Sequence, residues 1–283
     1  MKQMNAAHRQ SHWDLRAAGN FVGGGTGCGL VLACALAAAL GRPLALLPLA
    51  VGAACIACGL ALVWLEIGKP WRALNVFFHP QTSWMTREGI LAGPLLASCA
   101  LALWSGQAAW LAVAAPLAGG FLYAQARILR AARAIPAWSH KRVVPLIIAT
   151  GLTEGLGAWL VLAGDAAPRF VGAALLAALA REVAREAYRR GLVAARAPQP
   201  TLAWFERREV RVLQGLRLAA IALLAAALAL QSAPAAVFGG ALLVLTGWGL
   251  KVVLITRAAY TRGAAIPRTP TRGRSEGRTV LPQ

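Results

Sequence analysis

Long apolar runs alternate along this chain with short connectors into which the charges are gathered. The runs fall at 17–41, 44–66, 86–105, 108–127, 143–163, 168–187, 212–231 and 233–256. Each is about 20 residues long, the length a helix rising 1.5 Å per residue needs to cross a hydrocarbon core of ~30 Å. The pattern predicts an all-α integral membrane protein, a multi-pass bundle of eight transmembrane helices. A 16-residue polar arm (1–16) precedes the membrane domain (17–256), and a basic tail (257–283) follows it. The first run is too long for the apolar stretch of a signal peptide and follows a polar arm, so it is expected to be a retained span. The sixth run is the weakest, because Arg181, Glu182, Arg185 and Glu186 crowd its end and suit an interfacial extension. Without it the two termini would lie on opposite sides of the membrane.

Composition agrees with the pattern. Apolar residues make up 58% of the chain and charged ones 14%, and the mean hydropathy of +0.59 lies outside the range of ordinary soluble domains. The formal charge of +19 comes from 29 Lys and Arg against 10 Asp and Glu. These basic residues follow the connectors. The arm, the even-numbered connectors and the tail hold nearly all of them, whereas the opposite side has only Arg42 and Arg169. The positive-inside rule therefore puts both termini on the cytoplasmic side of a bacterial inner (cytoplasmic) membrane. Basic flanks of this kind also meet anionic membrane lipids. No aromatic-laced basic groove is visible, so nucleic acid is not an expected partner. Trp13, Trp64, Trp71, Trp84, Trp104, Trp110 and Trp138 lie near span ends, where indoles favour the headgroup region.

Several cofactors lack ligands. His8, His12, His79 and His140 all fall in the arm or in connectors, so axial haem ligation inside the bundle is not expected. Cys55 and Cys58 form a CxxC within the second run, with Cys28, Cys34 and Cys99 scattered in others. Iron–sulfur clusters need thiolates held by loops, and buried cysteine serves as a small apolar residue. Glycines 23, 24, 25, 27 and 29 sit inside the first span, where they suit close helix packing rather than phosphate binding. No metal site is expected.

The candidate chemistry is concentrated between the second and third runs, in LEIGKPWRALNVFFHPQTSWMTRE at 65–88. Glu66 closes the second helix and Glu88 opens the third, with Arg72, His79, Trp84 and Arg87 between them. Ionisable groups at or inside a membrane are costly and usually functional. Asn20 in the first span, with Tyr123 and Arg127 one turn apart in the fourth, are either interhelical hydrogen-bond partners or parts of the same site. Glu154 lies near the middle of the fifth span.

The run from Glu66 to Glu88 resembles the histidine-leucine-glycine-x-proline and serine-tryptophan…arginine-glutamate blocks of dimethyl sulfoxide reductase-type membrane anchors, relatives of the polysulfide reductase membrane subunit. Trp13-Asp14 before Asn20-Phe21-Val22-Gly23-Gly24, Tyr123-Ala124 before Ile135-Pro136-Ala137-Trp138, and Thr256-Arg257-Ala258-Ala259-Tyr260 before Pro267 are similar to anchors of this group. The resemblance implies a three-part complex. A catalytic subunit carries a molybdenum or tungsten pterin, an iron–sulfur subunit transfers electrons, and this chain exchanges them with ubiquinone or menaquinone. It also implies that Glu66 and Glu88 relay protons, Arg87 holds the carboxylates ionised or orients a quinone oxygen, and Trp84 walls the ring. Glu66 stands where these anchors commonly have histidine. The cytoplasmic basic face then suits the group acting on phenylacetyl-coenzyme A or sulfite. A secondary transporter and a passive anchor without quinone chemistry are the alternatives.

Overall fold

The computed structural model describes residues 7–66, 77–164 and 166–262, together with the backbone but not the side chain of Glu66. Trp71, Arg72 and the greater part of the basic tail lie outside the described residues. The chain is helical: α1 Leu15–Ala39, α2 Leu46–Glu66, α3 Trp84–Ser105, α4 Leu111–Ala131, α5 Pro136–Ser139, α6 Val143–Leu162, α7 Pro168–Ala194, α8 Gln199–Trp204, α9 Arg208–Leu230 and α10 Ala233–Val252. Among the described residues seven helices, α1–α4, α6, α9 and α10, are long and apolar enough to cross a membrane. The exception among the long helices is α7. It runs 27 residues but carries the Arg- and Glu-rich stretch Arg181–Arg190 in its second half.

Local chemistry sets the helix ends. Asp14 caps α1 by accepting from the Arg16 backbone N–H at 2.7 Å, a bond worth about 1 kcal/mol at a helix start. Arg16 also pairs with it, and these contacts hold the Asp14 carboxyl below the usual carboxylate range. Ser83 caps α3 through the Thr86 N–H, and Gly106, at φ 69°, ends that helix in the left-handed region open to glycine.

Helices α1 and α6 form the centre. Their apolar windows are each 67% buried, against 22% for α9 on the periphery. Lipid gives helices no hydrophobic reason to associate, so close packing of small residues has to do it. A Cβ on Gly155 of α6 would run into the backbone of Gly29 on α1, and one on Gly23 would meet the Cys55 carbonyl of α2. The glycines of the first run are therefore the surfaces on which α2 and α6 lie.

Helix α7 returns along α6. Phe170 at its start stacks near Trp159 close to the end of α6, and Tyr188 near its other end donates to the Ala137 carbonyl at 2.5 Å, beside the start of α6. Residues 8–10 and 259–261 meet at one end of the bundle. The Gln10 N–H donates to the Ala259 carbonyl at 2.9 Å and the Thr261 N–H to the His8 carbonyl at 3.0 Å, flanking an antiparallel bridge between Arg9 and Tyr260. Beneath this clasp Trp13 stacks on Trp138 at 4.7 Å, and the Trp138 indole donates to the Leu254 carbonyl at 2.9 Å. Trp138 is thus a core residue, whereas Trp104 at the end of α3 is 86% exposed.

Candidate functional site

The first turn of α3 directs Thr86 and Glu88 inward, and both are buried. Facing the Glu88 carboxyl are the side-chain amides of Asn20 from α1 and Gln125 from α4. Gln125 also donates to the Asn20 backbone carbonyl at 3.0 Å. It can lie across α1 because the position it crosses is Gly24, where a Cβ would meet its amide and Phe121. Next to this group is a cavity of about 160 Å³, lined by Asn20 and Glu88 with Trp13, Phe21, Val63, Met85 and Ile128 among its apolar walls. Glu88 Oε1, Asn20 Oδ1 and Gln125 Oε1 are buried without a hydrogen-bond partner. Orphaned buried acceptors are uncommon and call for a donor.

The remaining predicted residues form a different cluster. Two guanidinium groups lie over the Trp84 ring, Arg87 at 4.1 Å and Arg127 at 4.3 Å from its centroid. Tyr123 meets the ring edge-on at 5.6 Å and accepts from Arg127 at 2.6 Å. Arg87 is further tied to the Pro80 and Gln81 carbonyls at 2.8 and 2.9 Å. Among the described residues it has no ion pair, and neighbouring positions on a helix do not face each other, so its charge serves the ring and the 80–81 loop, not the Glu88 carboxyl. Trp13 lines the cavity, whereas Trp84 is not among its lining residues. His79 is exposed in the connector. Glu66 ends α2, but its side chain lies outside the described residues, as does all of Arg72. Of the nine predicted positions, the structure brings Asn20 and Glu88 together at the cavity, and Trp84, Arg87, Tyr123 and Arg127 together in the stack beside the α3 start.

A second buried polar system was not anticipated beyond Glu154. Lys251 of α10 reaches Glu154 of α6 at 2.6 Å, and both side chains are fully buried. Thr26 of α1 donates to the same carboxyl oxygen at 2.9 Å and accepts from the Trp248 indole at 2.9 Å. Gly25 and Gly247 make room, since a Cβ at either would strike the Lys251 ammonium or the Glu154 side chain. Nearby on α7, buried Arg181 donates to the Leu243 carbonyl and to Thr246. Arg217 of α9 stands 2.7 Å from Glu182. The signal for these partners was a lone Gln, Lys or Arg inside an apolar run, at 125, 251 and 217.

Helix α1 separates the two systems, with Asn20 and Gly24 toward the cavity and Gly25 and Thr26 toward the ion pair. Among the described residues no group of three or more His, Cys, Asp or Glu is placed to hold a metal ion. What the cavity offers is a buried carboxyl at an apolar slot, able to exchange a proton or accept from a ligand hydroxyl. No protein-family model matches the chain, and a search of curated proteins returns no match.

Proposed function

We propose that this chain is the membrane-embedded, quinone-reactive subunit of a multisubunit oxidoreductase in the bacterial cytoplasmic membrane. In this reading all eight long helices cross the bilayer and both ends face the cytoplasm. The observation that carries it is the unpaired, buried oxygen of Glu88 in the lining of a largely apolar slot bounded also by Asn20, Trp13, Phe21 and Met85. At about 160 Å³ the slot suits a single ring and is short of the roughly 300 Å³ at which pockets begin to hold drug-sized ligands. An isoprenoid tail would remain in lipid. When bound, quinone would supply the coupled electron and proton chemistry. The chain's own part is to position the head and move its protons.

Glu88 is the proton-exchanging group, because a carboxylate facing a ring oxygen can take or return a proton when its environment matches its pKa to the task. The Asn20 and Gln125 amides fix the carboxyl's orientation. Phe21, Met85 and Ile128 exclude water from the ring. The unpaired acceptors favour the hydroxyl-bearing quinol as the better complement. Glu66, across the connector, is the second member of the relay. Electrons would pass to an iron–sulfur subunit and a molybdenum- or tungsten-pterin catalytic subunit docked on the basic face, with phenylacetyl-coenzyme A or sulfite as substrate.

The test is purification of the tagged chain in mild detergent from its native host, with identification of co-purifying polypeptides and measurement of molybdenum, tungsten, iron and quinone. Two soluble partners, pterin metal, iron and quinone are expected. Glu88→Gln should then retain the assembly while losing at least 100-fold of quinone-coupled turnover, the lower end of the usual general acid–base contribution of about 10²–10⁴. Wild-type coupling in that variant would refute the assignment.

The fully buried Glu154–Lys251 pair favours a second reading, a transporter, because intramembrane ion pairs mark ion and substrate pathways. A metal-free chain without partners that drives substrate-dependent flux in liposomes would establish it.

A further inference from the structure

The cavity beside Glu88 has one wall unlike the rest. Its other described lining residues, Glu88 among them, stand on α1 to α4, whereas Trp13 belongs to the arm, ahead of the Asp14 cap of α1. The Gln10 side chain holds Trp13 from both sides, accepting from its backbone N–H at 2.7 Å and donating to its carbonyl at 2.7 Å. The same amide donates to the Ile255 carbonyl at 3.1 Å.

That third bond depends on how α10 ends. The helix runs into a single π turn, Val253–Arg257, closed by the Ala258 N–H on the Val253 carbonyl at 2.8 Å. The Leu254 and Ile255 carbonyls are among the last of the helix, which lack partners within it; they accept from the Trp138 indole and the Gln10 amide instead. Single π turns recur at functional sites. Here the turn ties the cavity's arm-borne wall to the far end of the described chain. Beyond it the arm is held by the bridge at Arg9 and Tyr260 and by the exposed bond from the His8 N–H to Thr261 Oγ1 at 3.2 Å. Segments held by exposed hydrogen bonds open at lower cost than packed helices, such as α1 with its window 67% buried.

We propose that the arm is a gate on the cavity, with Trp13 as its movable wall and Gln10 as the positioning residue that latches it. Latched, Trp13 lies on Trp138 and Glu88 is 5% exposed. Unlatched, water at the end of the bundle where residues 8–10 and 259–261 meet reaches the Glu88 carboxyl. A buried carboxyl exchanges its proton with bulk water only in the open state, so the gate keeps that exchange apart in time from the chemistry at a bound ring, as lids do elsewhere. The timing rests on Glu88 being the proton-exchanging group; the gating does not.

The test treats the full chain in mild detergent with a water-soluble carbodiimide and glycinamide, and reads modification at each carboxyl by peptide mass spectrometry. Exposed Glu206 and fully buried Glu154 are the internal references. Where closing outpaces the reagent, the rate at Glu88 follows the open population. Gln10→Ala should raise that rate about tenfold relative to Glu206, the ratio that one to two ordinary hydrogen bonds carry. Arg9→Cys with Tyr260→Cys supplies a reversible lock, because the two positions form a non-hydrogen-bonded antiparallel pair, whose Cα atoms lie about 4.5 Å apart, within disulfide range. The oxidised pair should slow modification of Glu88 about tenfold against the same protein reduced. Equal rates in the oxidised and reduced forms, or a wild-type rate in a folded Gln10→Ala protein, would overturn the proposal. A rise at Glu154 as well would mark Gln10→Ala as unfolded, and the locked pair then decides alone. The assay contains no quinone, so its failure leaves the Glu88→Gln coupling test standing.

Discussion

Replacing Lys251 by Met leaves the Glu154 carboxyl in the middle of the bundle with the Thr26 hydroxyl still donating to it but without its counter-ion. Across the 2.6 Å that separates the two charges, the gross attraction at an effective dielectric of ~20 is about 6 kcal/mol. Desolvation of both ions offsets most of it, so the pair as a whole adds little net stability. Losing one partner is different, because the survivor keeps its desolvation cost without its compensation. Such losses amount to roughly 3–5 kcal/mol, a change of about a hundred- to several-thousandfold in the folded-to-unfolded ratio. Reversible unfolding in mixed micelles of mild detergent and dodecyl sulfate measures it. Lys251→Met and Glu154→Leu should each be strongly destabilised. The double variant should recover most of the loss, since two apolar side chains of similar volume need no compensation. A Lys251→Met protein within 1 kcal/mol of wild type, with about 1 kcal/mol being the worth of one ordinary hydrogen bond, would show that the two groups do not meet as ions and would refute the reasoning.

Two further outcomes are expected. Gly155→Ala should destabilise the bundle by about 1–3 kcal/mol, the cost of overpacking, because the new methyl runs into the Gly29 backbone; higher stability in the same micelle titration, as alanine's helix propensity alone would give, would contradict the close α1–α6 approach. Burial, together with the adjacent Arg142 and Lys141 charges, lowers the pKa of His140 below the ordinary imidazole value. The unfolded chain therefore binds this proton more readily than the folded one, so stability rises with pH through the window below about 6.5 and levels off above it. His140→Gln should flatten that part of the unfolding-versus-pH curve, and an unchanged slope would remove His140 as its source.

The helices were legible because a membrane span leaves a one-dimensional record in the chain. The run expected at 17–41 is Leu15–Ala39, and that expected at 86–105 is Trp84–Ser105. The sixth run was expected at 168–187, yet the helix continues to Ala194. Its polar end is held by Glu186 with Arg189 and Arg190 at three- and four-residue spacing, which an apolarity count cannot register. Asn20 and Glu88 were recognisable as polar residues in apolar surroundings, and a shared cavity brings them together. Their third companion, Gln125, carried the same signal and was passed over, because nothing local says which face of α4 turns inward. Lys251 and Glu154 are separated by 97 positions. Only the folded bundle reveals that they form one pair, and that Gly25 and Gly247 are small on their account. Arg87 failed the other way: its position beside Glu88 suggested a charge partner, while the helix turns the two apart.

The clasp between residues 8–10 and 259–261 joins the earliest-made part of the described chain to the latest. Synthesis proceeds from the amino end, so the arm emerges with nothing to pair with and must wait until α1 to α10 have been made. The bridge can close only after α10 is in place. Its closure is therefore a sign of completion: a chain arrested one helix short leaves the arm with Trp138 beneath Trp13 but without residues 259–261 to hold it there.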